Sequence, residues 1–505
     1  MAAELQPSDI SRANPAVGLQ QTLNKQKKAL RQNGIPDYKQ RVAALKVLKK
    51  LLLKHQDEWI KAVSADFGNR SAHETVLAEI FVVASEIDDA IRHLRSWMKP
   101  RVERAAWQYA PAVTKILYQP KGVIGVIGAW NYPIQLNLGP AVGAIAAGNH
   151  VMIKPSELAP KTAELMADLI SHAYPTSYFT VCTGDVDVSA AFSSLPFDHI
   201  CFTGSSRVGK IIMRNAAEHL TPVTLELGGK SPAIVAEDAV PKLAAARIAR
   251  GKFLNAGQTC VAPDYVLVHE SMRDQLVADI RDKVDQAYGD VANSDDYTHI
   301  VCEPHYQRHK DLVADAEAKG GKIVPATTKT IEPDDAKQMF PPTLVLNPTD
   351  DMRLMQEEIF GPILPIKTYR TIDEAIDYIN DNDKPLALYY FGESKKGQNH
   401  VLENTLSGGV TINDTLYHLP QPNLPFGGVG TSGMGHYHGH FGFLEFSKQK
   451  PVFIQSRATL LDLLSPPYGR IMNLTLRILV GWKRDVAKVK VANAPKIVKE
   501  KRSGQ

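Results

Sequence analysis

Three residues have the types and settings that carbonyl chemistry needs. Cys260 ends the run Phe253-Leu-Asn-Ala-Gly-Gln-Thr-Cys260-Val, where a helix gives way at Asn-Ala-Gly and presents a thiol on a loop of small residues. A nucleophilic cysteine needs a thiolate population, and nearby amide donors or cations lower the thiol pKa from about 8.5. Taken alone, a free cysteine is more often a small buried residue of the core. Glu226 ends the apolar run Val223-Thr-Leu-Glu226 and is followed by Leu-Gly-Gly-Lys-Ser-Pro. In open α/β sheets the ligand crevice lies outside the carboxyl ends of the strands, so a carboxylate there is placed to act as a base on substrate or water. Its plainer reading is a solvated acid at a strand end. Asn131 follows the first strand in Trp130-Asn131-Tyr-Pro133. Its amide can donate to a developing oxyanion or merely form a turn.

Two further stretches suit an anionic or hydroxylated ligand. Phe202-Thr-Gly204-Ser205-Ser-Arg-Val-Gly209 lies between a strand and a helix, where unpaired N–H groups and the helix dipole attract an anion, although it lacks the G-x-G-x-x-G spacing. Val151-Met-Ile-Lys154-Pro-Ser-Glu157 closes a strand with a cation and an anion three residues apart, able to meet ribose hydroxyls or simply each other. Gly229-Lys-Ser resembles part of a P-loop, but that motif needs glycine where Thr224 stands, which excludes an NTPase. His418, His436, His438 and His440 gather in one region, yet alternation on a loop does not make tetrahedral zinc geometry. They read as loop packing, and no metal is expected.

The elements that must position these residues follow from periodicity. Tyr38 to Trp97 is charged, helical in period and free of Pro and paired Gly, which predicts a helical lead-in. From Gly122 onward, β-rich runs at 123–127, 150–154, 178–182, 198–202 and 222–227 alternate with helical stretches such as 161–173 and 207–219. Parallel strands need such crossovers, so the fold class is α/β with a doubly wound sheet of the nucleotide-binding kind. The alternation resumes after Gly228 and predicts a second α/β lobe. The predicted division is 1–107 as helical lead-in, 108–227 as cofactor domain and 228–424 as catalytic domain. A return segment with oligomerisation strands follows at 425–456, then a C-terminal amphipathic helix and basic tail at 457–505.

Composition bounds the function. With 505 residues, 44% hydrophobic and 22% charged, the chain is an ordinary globular protein. Its net charge of +4 is concentrated: eight basic residues lie between Lys483 and Arg502 against Asp485 and Glu500, so the rest is slightly acidic. No basic face suited to nucleic acid remains. Four cysteines without CxxC spacing, and no apolar run long enough to span a bilayer, predict a cytoplasmic enzyme. Ile471, Leu474, Ile478 and Trp482 near one face of a helix, followed by the basic tail, allow peripheral membrane association. The alternative is a helix that covers a protein surface.

Read together, Asn131, Glu226 in ELGGKSP, Cys260 in GQTC and Glu358-Ile-Phe360 in EEIFGP resemble the aldehyde dehydrogenase superfamily from about Ala105 to Ser447. Cys260-Val-Ala-Pro-Asp-Tyr265, Lys154-Pro-Ser-Glu157 and Pro425-Phe-Gly-Gly-Val-Gly-Thr-Ser-Gly-Met-Gly resemble its class 3 branch, which includes fatty-aldehyde enzymes, and bacterial coniferyl-aldehyde dehydrogenases. The resemblance implies a Rossmann-type NAD-binding sheet, a second α/β catalytic domain and a small β oligomerisation element. It implies Cys260 as nucleophile, Glu226 as general base, and Asn131 with the Cys260 N–H as oxyanion donors. Lys154 and Glu157 would then meet the adenosine ribose, Gly204 and Ser205 the pyrophosphate, and Glu358 the nicotinamide ribose. Trp130, Leu227 and Phe360 complete the cofactor site. Glu157 should repel a 2′-phosphate, so NAD is the expected cofactor, with NADP admitted because Lys154 offsets that charge. An aromatic or medium-to-long aliphatic aldehyde and a homodimer complete the expectation. A CoA-acylating enzyme is disfavoured by Glu226, because hydrolysis needs the base, and a catalytically idle binding protein by the three residues together.

Overall fold

The computed structural model describes residues 15–457, 466 and 468–481. The chain forms two units, one built from the described residues to Lys99 with Tyr118–Gln449, the other from Pro100–Leu117 with the described residues from Lys450.

In the first unit the predicted βαβ rhythm appears as two sheets. The first orders its strands Gly433–Met434, Val223–Glu226, His199–Thr203, Val123–Ile127, His150–Lys154 and Phe179–Val181, all parallel except the antiparallel Gly433–Met434. The run at 178–182 pairs only over Phe179–Val181, and that at 198–202 is shifted one residue, to His199–Thr203. Strand Val123–Ile127 is buried at every position, as sheets covered on both faces require. The second sheet runs Lys322–Pro325, Thr343–Leu346, Ile363–Tyr369, Tyr265–His269, Pro232–Val235, Ala387–Phe391 and Gly409–Ile412, parallel except at the first pair.

The helical lead-in comprises Tyr38–Lys54, Gln56–Phe67, Ala72–Thr75 and Phe81–Trp97, with a π-helical turn at Val76–Ile80, preceded by Pro15–Asn33. Asp37 starts the first of these with a capping box to Gln40. The π turn carries Glu79, fully buried, whose Oε1 lies 3.0 Å from the Arg70 guanidinium. Glu79 Oε2 accepts from the N–H of Ile134 at 2.6 Å and of Gln135 at 3.1 Å, so a buried carboxylate fills the start of helix Gln135–Ala147.

In the second unit, Tyr109 and Phe453 meet edge to face. Within the segment 425–456 read as oligomerisation strands, Gly439–Glu445 is helical and the long strand is Ser447–Ile454. The C-terminal helix spans Arg470–Val480 and exposes Ile471, Leu474 and Ile478. Trp482 and the basic tail lie outside the described residues. Among the described residues no helix is long and apolar enough to cross a membrane.

Removing one partner of a buried ion pair strands the other charge, at a cost of about 3 to 5 kcal/mol. Glu79→Gln should therefore lower unfolding free energy by that amount in a denaturant titration. A loss below about 1 kcal/mol would show that Arg70 finds other compensation.

Candidate active site

The chain order of the first sheet reverses between Val123–Ile127 and His199–Thr203. Such a switch point opens a crevice at the carboxyl ends of the two strands. Trp130 and Asn131 follow the first strand, and Gly204 and Ser205 follow the second. Ser205 caps the helix Ser206–Ala217, its hydroxyl accepting from the Val208 N–H at 3.4 Å. Glu226 closes the neighbouring strand, and the loop behind Gly257 brings Cys260 opposite.

The result is a cavity of about 280 Å³ lined by Cys260, Glu226 and Asn131 together with Trp130, Gly204, Ser205, Leu227, Glu358 and Phe360. Lys154 and Glu157 are not among its lining residues and stand at the end of strand His150–Lys154, next in the sheet. The Lys154 ammonium is buried, donates to the Pro155 carbonyl at 2.6 Å and lies 3.6 Å from Glu157. Burial lowers its pKa while Glu157 opposes the shift.

The nucleophile loop is set by its backbone. Asn255, Ala256 and Gly257 have φ of 52, 50 and 74°, three consecutive left-handed residues. A Cβ on Gly257 would stand 2.3 Å from the Gly361 carbonyl oxygen, so the loop packs against the EEIFGP segment as only glycine permits. Asn255 receives support from several directions: its N–H donates to both Glu74 carboxylate oxygens at 3.2 Å, and its amide donates to the Asn131 and Gln258 carbonyls at 3.1 Å. Asn131, 2% exposed, donates from its own amide to the Gln258 carbonyl at 3.1 Å. Arg70 donates to the Asn131 carbonyl at 3.0 Å.

The electrostatics differ from the sequence expectation at the thiol. The N–H groups of Cys260 and Val261 do lower its pKa, but burial, followed by the charges of Glu358 and Glu226, outweighs them and pushes it up to about 12. Burial and then the Glu445 charge raise Glu226 well above the carboxylate range, and neither of its oxygens has a hydrogen-bond partner among the described residues. Glu358 is pushed up to about 7 by burial and Asp264, against the Gly229 N–H that its Oε1 accepts at 3.0 Å. A Cβ on Gly228 would meet Glu358 Oε2 at 2.1 Å, so the carboxylate occupies the space that this glycine leaves.

Sequence reasoning missed His305 and Arg308, which also line the cavity from helix Glu303–Ala318. His305 and Phe360 each meet the Trp130 ring edge-on, at 5.0 and 5.4 Å. Arg308 donates to the Ile359 carbonyl at 2.7 Å, to the Glu358 carbonyl, and to the Glu357 carboxylate at 3.0 Å, so it braces the EEIFGP backbone. Only a Pro near the helix start marks this stretch in sequence. The four histidines have different polar and ring partners: His438 contacts Glu86, His440 stacks on Trp97, His418 bonds Thr411 and His436 packs edge-on to Phe441.

Residues 11–452 match the model of the Aldehyde dehydrogenase family. A Pseudomonas aeruginosa protein named "Probable coniferyl aldehyde dehydrogenase" is 49% identical over 447 residues, covering 88% of this chain and 93% of its own. Rat "Aldehyde dehydrogenase family 3 member A2" is 41% identical, covering 82% of this chain and 84% of its own. A Staphylococcus aureus structure titled "Substrate bound state of Staphylococcus Aureus AldH" superposes with a TM-score of 0.86 at 40% identity, over 91% of this chain and 99% of that one. With a family model matched along most of its length and a 49% identical relative beside a site built from cysteine, glutamate and asparagine, the chain belongs to the aldehyde dehydrogenase family.

Proposed function

We propose that this aldehyde dehydrogenase oxidises an aromatic aldehyde of the coniferyl type to the carboxylate through a thioester on Cys260. The observation that carries the reading is the meeting of Cys260, Glu226 and Asn131 at one cavity. The name of the 49% identical relative favours an aromatic substrate over a medium- or long-chain aliphatic one.

The Cys260 sulfur, as thiolate, bonds to the aldehyde carbon and leaves a tetrahedral oxyanion. The Asn131 amide and the Cys260 N–H supply preorganised donors for it. One Asn131 amide N–H is held by the Gln258 carbonyl at 3.1 Å, which orients the group and leaves its second N–H for the oxyanion. As the oxyanion collapses, hydride leaves the same carbon and the thioester remains. An oxidised nicotinamide dinucleotide, when bound, would supply the hydride acceptor. Residues suited to hold it are Gly204 and Ser205 at a helix start facing the cavity, Lys154 and Glu157 at the next strand end, and Glu358, with Trp130, Leu227 and Phe360 as apolar wall. The exposed Glu157 carboxylate favours NAD over its 2′-phosphorylated form.

Glu226 then takes a proton from water whose oxygen attacks the thioester carbon. A carboxylate with a raised pKa is a stronger base, and the apolar burial that raises it here is the same that keeps its oxygens unpartnered. Dividing one difficult oxidation into two covalent steps is the general gain of nucleophilic catalysis.

Cys260→Ala should abolish NADH formation with cinnamyl- and benzyl-type aldehydes, whereas Glu226→Gln should give one rapid burst of NADH per site and then stop. Normal turnover in either variant overturns the thioester route. Asn131→Ala should lower kcat roughly a hundredfold or more, and a loss of only a few-fold would remove Asn131 from the oxyanion site. Catalytic efficiency should be higher with NAD than with NADP, and comparable values would reject the role given to Glu157.

A further inference from the structure

The helix Arg470–Val480 belongs to the second unit, and none of its residues lines the cavity around Cys260. Ile471, Leu474 and Ile478 stand three and four positions apart, so they share one helical face. They are 59, 59 and 75% exposed, and among the described residues no side chain of this helix is buried. Eleven residues are too few to hold a helix in water by hydrogen bonds alone, so its apolar row needs a surface to lie against.

Charge says which surface that is. Arg470 precedes Leu474 by four positions and Arg477 follows it by three, which sets two guanidinium groups along one border of the apolar row. The helix contains no Asp or Glu. The Thr475 hydroxyl donates to the Ile471 carbonyl at 2.9 Å, so the one hydroxyl on the helix is satisfied within it. Gly481, left-handed at φ 60°, ends the helix, its N–H donating to the Arg477 carbonyl at 3.0 Å. The exposed Tyr468 precedes the helix and, in the sequence, Trp482 follows it, the two residue types that favour a membrane–water boundary. Beyond them the sequence holds eight basic residues from Lys483 to Arg502 against Asp485 and Glu500. The rest of the chain has nearly balanced charge and is a weaker match for this cationic segment than a layer of anionic headgroups.

We propose that Arg470–Val480 docks in the plane of an anionic lipid bilayer, with Ile471, Leu474 and Ile478 among the acyl chains just below the headgroups and Arg470, Arg477 and the basic tail on the lipid phosphates. The helix rises about 16 Å, half the roughly 30 Å of a hydrocarbon core, so it lies along the surface and does not cross it. The arginine stems rest beside the apolar row while their guanidinium groups reach the phosphate oxygens. Apolar insertion and cation–phosphate attraction add, so losing either weakens attachment.

The test sediments the full chain with vesicles of phosphatidylcholine alone and of phosphatidylcholine and phosphatidylglycerol in equal parts. The chain should pellet with the anionic vesicles and stay in the supernatant with the neutral ones, and it should bind less at about 1 M salt, where the Debye length falls to about 3 Å. Ile471→Gln, Leu474→Gln and Ile478→Gln combined keep every charge and should lower the bound fraction about tenfold or more. Arg470→Gln and Arg477→Gln should each weaken binding about fivefold. NADH formation with a dissolved aldehyde should be the same in all these variants, which shows them folded. Equal binding to both kinds of vesicle, binding by the triple variant as strong as that of wild type, or no binding to either overturns the proposal. In the last case, a larger species of wild type on size exclusion that the triple variant lacks assigns the apolar row to a second copy of the chain.

Discussion

The site depends on one buried guanidinium. Arg70, 2% exposed, lies 3.0 Å from both the Glu79 carboxylate and the Asn131 carbonyl. Glu79 in turn fills the start of the helix that follows Asn131, so one charge pair fixes the lead-in helices and the first strand-to-helix connection at once. Glu74, one turn earlier, receives the Asn255 N–H and so reaches the nucleophile loop from the same segment. The lead-in is thus the frame against which Asn131 and Cys260 keep their separation. The charges are retained at a desolvation cost that apolar packing would avoid, and what they provide is a fixed register between two loops.

Much of this was legible in the sequence because it is local. The strands at 123–127 and 150–154 and, within 222–227, Val223–Glu226 announced themselves by β-branched runs between helical spacers; Glu226 was placed by ending such a run, Gly204 and Asn131 by following one. Cys260 was found from the small residues before it. The features that escaped are those whose partners lie far along the chain. Nothing near His305 or Arg308 tells that helix Glu303–Ala318 will brace Glu357–Ile359, some fifty positions away. The π turn at Val76–Ile80 reads as ordinary helix, because its apolar period is unbroken. The thiol pKa went the other way because burial depends on the packed site, whereas the sequence displays only the nearby amides.

Burial also organises the chemistry. The cavity withdraws a carboxylate wholly and a thiol in part from water, which favours their neutral forms, so each needs a partner at the moment its charge is used. For Cys260 the fixed donors are its own N–H and that of Val261. For Glu226 there is no fixed donor among the described residues.

The pairing of Gly433–Met434 with Glu226 and Leu225 has a bearing on how the protein is made. This antiparallel edge brings together residues separated by some two hundred positions, and the Ser432 carbonyl accepts the Leu227 N–H. Closing so long a loop is slow and comes after local helices and neighbouring strands have formed. A ribosome-bound chain that ends before residue 432 therefore carries both Glu226 and Cys260 without the strand that covers one of them. Acquisition of activity during synthesis should accordingly be late and abrupt, and the exposed edge of Val223–Glu226 is the surface that a chaperone has to protect until then.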